Sequence, residues 1–354
     1  NFLNMIYLTL ARRQNFKIFG GVRFGGTLTI DDAWNLGFRH IAIATGAGKP
    51  TIINMKNNLI RGIRKASDFL MALQLTGAAK RSSMANLQVE LPAIVVGGGL
   101  TAIDTATELM AYYPYQVEKF LERFEKIVSE FGEDEVLKSF EREEKEILKK
   151  YLQHGREVIS ERERAKSVNE KPNFIKLVRK WGGVKVFYRK GLIDSPAYRL
   201  NHEEIIKAFE EGIEFVEKMN PTEAIADEYG AIKEIIFEKQ LEKGGKWKNS
   251  GEFTRVHARS LFVAAGTSPN IIYEREFPNT FKMDKWKQFF QTHQLSMDGE
   301  AALLPAEDSE KAFFTSYKDE DKYITYYGDN HPAYAGNVVK AMASARKGYK
   351  HVVD

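Results

Sequence analysis

Cysteine is absent from all 354 residues. That omission excludes disulfides, thiolate-held iron–sulfur clusters, Cys-based zinc sites, a catalytic cysteine and any redox-active Cys-x-x-Cys pair within the chain. If electrons pass through it, an organic cofactor must carry them. Long hydrophobic runs are missing too: no window approaches the roughly 20 uncharged apolar residues of a membrane span, and the N-terminus lacks the ordered regions of a secretory signal. The expectation is a cytoplasmic protein with no membrane partner. Charge of one sign is also scarce. The net charge is only +4, and basic residues alternate with acidic ones, as in Glu141-Arg142-Glu143-Glu144-Lys145-Glu146. A nucleic-acid binder concentrates its positive charge on one face or tail, so no nucleic acid is expected as a partner.

What the chain does have is a short apolar run that breaks into glycines and then into a helix pattern, Ile94-Val95-Val96-Gly97-Gly98-Gly99-Leu100-Thr101-Ala102-Ile103-Asp104. A strand, a tight turn and a helix N-terminus assembled this way hold the pyrophosphate of a dinucleotide. Gly97 lets the chain turn sharply, Gly99 lets the backbone approach the phosphates, and Ala102 lets the helix pack close to the strand. The exposed N–H groups and the positive end of the helix dipole then face the anion. An ordinary glycine-rich turn has the same composition, so the motif alone is weak.

Along the rest of the chain, His40-Ile41-Ala42-Ile43-Ala44 reads as a buried strand closed by Thr45-Gly46-Ala47-Gly48. Residues 58–80 have near-helical spacing, and the fingerprint helix is expected to run from Ala102 to about Ala111. From 113 to 179 the chain is highly charged and helical in pattern. One apolar stripe runs from Val117 to Phe131 and another from Leu137 to Leu152, with Gly132 between, which predicts two antiparallel helices. Such a hairpin suits either a solvated insertion with a narrow packing face or a docking surface, including one for self-association. Strand signals resume at Val184–Tyr188; a helix is expected from about Asn201 to Glu211, a strand at 213–216, and a hairpin around Gly244-Gly245. Ser260–Ala264 reads as a further buried strand ending in Ala265-Gly266. Residues 275–320 are aromatic-rich and receive no assignment. Tyr323–Tyr327 then leads into Gly328-Asp329, and a closing helix is expected from Asn337 to Tyr349.

Taken in order, Ala44-Thr45-Gly46-Ala47, Gly97 to Asp104, Tyr188-Arg189-Lys190, Ala264-Ala265-Gly266, Gly328-Asp329 and Val338-Val339-Lys340-Ala341 resemble one family. It is the group of FAD- and NAD(P)H-dependent oxidoreductases around the glutamate synthase small subunit, within the pyridine nucleotide-disulfide oxidoreductase superfamily. The resemblance implies an α/β fold in which a Rossmann-like nucleotide-binding domain is inserted in a partial FAD-binding domain and itself carries the charged helical hairpin. The expected divisions are 1–57 for the first flavin segment, 58–275 for the NAD(P)H domain and 276–354 for the second flavin segment. The family's own flavin-side Gly-x-Gly-x-x-Gly turn has no counterpart before Thr45, so the FAD phosphate site is expected to be incomplete and the chain an N-terminally truncated piece.

On this resemblance NADPH binds at Gly97, Gly98, Gly99, Thr101 and Ala102 and passes a hydride to FAD, with electrons continuing to an acceptor domain or subunit. Hydride transfer needs little acid–base help, which suits the lack of any evident His/Asp/Ser constellation. The basic pair Arg189-Lys190, where an NAD site would place an acid, favours NADPH, although a solvated strand end has the same composition. The resemblance places Thr45 and Gly46 near FAD, Gly266 near the nucleotide, Asp329 of the Gly328-Asp329 pair on the ribityl or phosphate region, and the amides of Val338 and Val339 at the isoalloxazine edge. An ordinary turn aspartate is the alternative at Asp329. His331 is expected to be structural or solvated rather than a catalytic base. A non-catalytic nucleotide-binding or scaffold domain remains the competing function, whereas a thioredoxin reductase-type disulfide reductase is excluded by the missing cysteines.

Overall fold

The computed structural model describes residues 2–296 and 301–353, and the chain divides into two compact units. One is discontinuous, formed by residues 1–49 and 267–354; the other is the continuous stretch 50–266 between them. An inserted domain is thus visible in the contacts, with junctions at 49/50 and 266/267 rather than at 57/58 and 275/276.

In the continuous unit, Ala93-Ile94-Val95-Val96 is the central strand of a five-stranded sheet, and all four residues are buried. The order is Ile63–Lys65, Ser260–Val263, Ala93–Val96, Val184–Phe187 and Glu214–Val216, with every neighbouring pair parallel. The period-2 alternation of side chains explains why this strand is apolar throughout. Ala93 and Val95 join a core with Phe69, Leu73, Ala102, Ala106 and Leu109 on the helical face. Ile94 and Val96 join a second core with Ile232, Ile235 and Phe237 on the opposite face. That second face is covered by a three-stranded antiparallel sheet of Met219–Ala226, Ile232–Lys243 and Lys246–His257, so the hairpin around Gly244-Gly245 has longer strands than expected and a third partner.

The helix after the glycines does not stop near Ala111. It runs unbroken from Leu100 to Phe131, through Pro114. An interior proline costs about 3 kcal/mol, but Tyr113, Val117 and Leu121 are each at most 1% exposed and hold the segment in place. Burial of side chains this size contributes roughly 1.5–3 kcal/mol apiece. A short helix, Glu133–Lys138, turns the chain into Arg142–Ser167, which returns antiparallel to the first. Leu121, Phe124, Leu148 and Leu152 form the shared seam. The predicted stripe is shorter than drawn, because Ile127 and Phe131 are 47% and 64% exposed. Gly155 permits the close approach: a Cβ there would stand 2.7 Å from the Val117 carbonyl oxygen. Glu118, 3% exposed, is gripped at both oxygens by Arg162 at 2.7 and 2.8 Å. The segment is therefore a continuation of the fingerprint helix with a packed return arm.

Two further expectations are corrected in this unit. Residues 58–80 are not one helix: the turn at Gly62 leads into the edge strand Ile63–Lys65, and the helix occupies only Ala66–Thr76. Leu59 and Leu75, both within that stretch, are 93% and 80% exposed. The helix expected from Asn201 is present, but across a kink at Asn201 it is preceded by a helical turn that begins at Pro196, where the Ser195 side chain caps the Tyr198 amide and proline takes the first position.

The discontinuous unit is built on another five-stranded sheet, in the order His40–Ile43, Lys322–Tyr326, Phe314–Asp319, His293–Ser296 and Ala302–Pro305. Only the first pair is parallel. The stretch 275–320, unassigned from sequence, supplies three of these strands. Ile30, Trp34, Ile43, Tyr273, Phe281, Phe290 and Tyr326 form the core of this unit. The closing helix spans Val338–Gly348, capped by the Asn337 side chain on the Lys340 amide. No helix among the described residues is long and apolar enough to cross a membrane.

Candidate nucleotide-binding site

The chain leaves the C-terminal edge of Ala93–Val96 and builds outward through Val184–Phe187 and Glu214–Val216, then returns to place Ser260–Val263 on the other side. The end of the fingerprint strand is thus a switch point of strand order, where open α/β sheets bind ligands. At this point the three glycines have three different environments. A Cβ at Gly97 would stand 2.2 Å from the Ala264 carbonyl oxygen. A Cβ at Gly98 would stand 2.4 Å from the Tyr188 ring. At Gly99 nothing lies within 4 Å, so two glycines close the turn against protein and the third leaves it open.

Gly99 is the N-cap of the long helix, in extended backbone at φ −92° and ψ 173°. No side chain caps this end and its first turn carries no acidic residue, so the leading N–H groups of Leu100 and Thr101 are directed to an outside acceptor. Thr101 is exposed, while Ala102 is fully buried and sets the helix close against the sheet. Each fingerprint position therefore meets the steric demand the motif implies.

Tyr188, Arg189 and Lys190 follow the neighbouring strand directly. The Tyr188 ring covers Gly98, and burial raises its phenol above the ordinary tyrosine value. Arg189 is exposed and Lys190 half-buried, and among the described residues neither has an ion-pair partner. The Pro196–Glu210 helix also reaches the turn, since the Ala197 amide donates to the Gly98 carbonyl at 2.9 Å. This contact was not foreseen. The Ser195-Pro196 pair signals a helix start, but Asn201, at φ −158° inside the helix, breaks the helical pattern where the start was expected. Gly266 lies beyond the adjacent strand at φ +89°, with open space where a Cβ would stand, and its carbonyl accepts from the Thr51 amide.

In the discontinuous unit, the structure gathers the remaining candidates at the ends of the two parallel strands. Gly46, at φ +70° and open on its Cβ side, accepts from the Asn270 amide at 2.9 Å. The buried Asn330, which the sequence reading passed over, ties this region together: its carboxamide oxygen accepts from Thr45 Oγ1 at 3.1 Å and its nitrogen donates to the Asn270 carbonyl at 2.8 Å. Its place directly after Gly328-Asp329 was the available signal. The Gly328 amide donates to Ser344 Oγ at 2.8 Å, while the Asp329 carboxylate accepts from the Gly336 amide, a turn-forming role. Val338 and Val339 are 69% and 68% exposed at the start of the closing helix. A cleft of ≈ 170 Å³ opens beside Thr45, walled by Phe24, Ile43, Tyr273 and Phe290 and edged by Arg23. His331 is fully buried, donates from Nε2 to the Ala312 carbonyl at 2.7 Å and stacks on Tyr326. Burial holds its pKa down at about 4, so it is a neutral structural group at physiological pH.

No family model matches the chain. It is 33% identical over 350 residues to an uncharacterized protein of Rickettsia prowazekii (strain Madrid E), an alignment that takes in 99% of this chain and 42% of that protein. The chain thus spans less than half the length of this relative. Among solved structures it is similar to FprA of Mycobacterium tuberculosis, with a TM-score of 0.55 and 12% identity over 99% of this chain and 71% of that one. A second FprA structure, in complex with NADPH, gives a TM-score of 0.52 at 12% identity, covering 99% of this chain and 72% of that one. At this identity the likeness establishes the fold: α/β, with Rossmann-like nucleotide-binding architecture.

Proposed function

We propose that the chain is the NADPH-binding, hydride-transfer portion of an FAD-dependent oxidoreductase, and more narrowly one of the glutamate synthase small-subunit type. The observation that carries this reading is the glycine turn. Gly97 and Gly98 are sealed against Ala264 and Tyr188, Gly99 is open at the uncapped N-terminus of a long helix, and a basic pair that has no ion-pair partner among the described residues stands at the end of the next strand. In this reading the amides of Leu100 and Thr101 hold the pyrophosphate and Arg189, with Lys190, holds the 2′-phosphate, whose geometry suits a guanidinium fork. Similarity of the fold to FprA, whose solved structures include one in complex with NADPH, supports the same nucleotide here.

The residues of the discontinuous unit fit the flavin side of FAD. Gly46 leaves space for a close backbone approach, and the Asn337 cap leaves the amides of Val338 and Val339 to an outside acceptor. Bound FAD would supply the hydride acceptor; Thr45, Gly46, Asp329 and those two amides would hold it. Electrons would then leave to an acceptor domain or subunit. The test is calorimetric titration of the chain with NADPH and NADH. Micromolar-scale NADPH binding that exceeds NADH binding and weakens roughly tenfold or more in Arg189→Ala supports the reading, since one charge-assisted phosphate contact contributes about 1.5–3 kcal/mol. A folded chain that binds neither nucleotide refutes it.

A further inference from the structure

Two exposed patches of the chain are opposite in charge, and each has apolar side chains at its centre. The first is the tip of the helical arm. Residues 125–141 hold six acidic side chains against two basic ones, and among the described residues the only ion pair there joins Glu135 to Lys138 at 2.6 Å. Glu133, Asp134 and Glu135 open the short helix Glu133–Lys138, where its dipole favours them. Glu130 has no such reason: it lies in the last turn of Leu100–Phe131, which carries no basic residue and where the dipole disfavours an acid. Between these acids Ile127 and Phe131, one helical turn apart, stand exposed. The second patch is the closing helix. Val338–Gly348 passes through Tyr349, itself in αR conformation, into Lys350–Val353. Residues 337–353 hold Lys340, Arg346, Lys347 and Lys350 and no acid, and among the described residues none of the four has an ion-pair partner. Met342 and Tyr349, 63% and 54% exposed, lie two turns apart on one face, while Ser344 and Gly348 are buried on another.

We propose that the arm tip of one copy docks on the closing helix of a second copy of this chain. The inference is independent of the nucleotide-binding reading. Four net negative charges on one patch face four positive ones on the other, so association relieves the like-charge repulsion within each patch and steers the two together. Phe131 and Ile127 then meet Met342 and Tyr349, which gives an apolar centre within a charged rim. The occupant is a second copy because one sequence supplies both complementary halves, each rich in charges that find no counter-charge within the described residues. Two different surfaces of the molecule meet, so the contact either closes into a small oligomer or propagates along a row of copies.

Sedimentation velocity over a concentration series, in about 0.05 M and about 0.5 M sodium chloride, tests the proposal. The chain should self-associate at the lower salt and lose roughly tenfold or more in affinity at the higher. Phe131→Ser should weaken association by a similar factor, roughly tenfold or more. Two charge reversals, Glu130→Lys with Asp134→Lys on the tip and Arg346→Glu with Lys350→Glu on the closing helix, should each abolish association and leave the circular dichroism spectrum unchanged. An equimolar mixture of the two reversed proteins should associate again, since each then meets a counter-charge for both of its patches; misfolded variants would not be restored in this way. Association that survives either reversal, or that mixing does not restore, overturns the inference. So does a chain that stays monomeric at the highest attainable concentration, including one that instead floats with phosphatidylglycerol vesicles and so assigns the basic helix to a lipid surface.

Discussion

Two alanine substitutions two residues apart should have opposite kinds of effect. At Gly97 an added Cβ lies 2.2 Å from the Ala264 carbonyl oxygen and 2.9 Å from its carbonyl carbon. Both are backbone atoms, and Ala264 is pinned by its own amide bond to the Val96 carbonyl at 2.8 Å. No rotamer relieves a contact more than about 1 Å inside the ~3.5 Å optimum. Overpacking of this kind, with the added backbone strain, costs about 2–4 kcal/mol, or a fall of roughly 5–15 °C in Tm for a domain of this size. At Gly99 the same methyl meets nothing within 4 Å, and φ −92° is open to alanine. The small loss of N-cap preference is offset by the reduced entropy of the unfolded chain, so stability should hold to within about 0.5 kcal/mol. The methyl does occupy the surface that a pyrophosphate would approach, and NADPH affinity should fall roughly tenfold or more, about 1.4 kcal/mol. Differential scanning calorimetry and nucleotide titration on both variants separate the effects. Wild-type NADPH affinity in Gly99→Ala, or wild-type stability in Gly97→Ala, would refute the division of labour among the glycines.

Gly155→Ala should destabilise the 50–266 unit by about 1–3 kcal/mol despite alanine's better helix propensity, because the methyl meets the Val117 carbonyl oxygen at 2.7 Å and Leu121 Cβ at 2.9 Å; chemical denaturation would register it as a lower midpoint. A pH dependence of stability follows from His331. Its folded pKa of about 4 lies below the ordinary 6.5, so the unfolded chain takes up the proton first. The stabilisation is complete above pH 6.5 and is lost as pH falls toward about 4, with a full span of about 3 kcal/mol. His154, held near 4 by burial against Trp181, adds the same sign in the other unit. Thermal scans across this window should show the decline, and His331→Gln should flatten the part that belongs to the discontinuous unit; an unchanged slope would contradict the assignment.

The fingerprint strand, turn and helix start were legible because every residue from Ile94 to Ala102 carries a local demand, whether apolar, small or conformationally free, that the fold then uses. The cap at Asn337 and the small residues at Ala264 and Gly266 were legible for the same reason. What escaped was decided by partners distant in sequence. Pro114 reads as a helix end, yet Tyr113, Val117 and Leu121 bury deeply enough to carry the helix through it. Ile63-Arg64-Lys65 has no strand pattern of its own and becomes a strand by pairing with Leu261-Phe262-Val263. Asn330 looks like a loop residue until its carboxamide is seen joining Thr45 to Asn270. The reach of Ala197 to Gly98 was hidden because the Pro196–Glu210 helix kinks at Asn201, which displaced its expected start past the residue that touches the turn.

In the proposed function the turn from Gly97 to Ala102 cradles the pyrophosphate of NADPH. A crystal structure of the chain with NADPH tests it most directly. The predicted result is difference density for the pyrophosphate over Gly99 and the amides of Leu100 and Thr101, with the 2′-phosphate at Arg189. Density for the nucleotide elsewhere on the protein, or a well-ordered turn that stays empty at saturating NADPH, would contradict it.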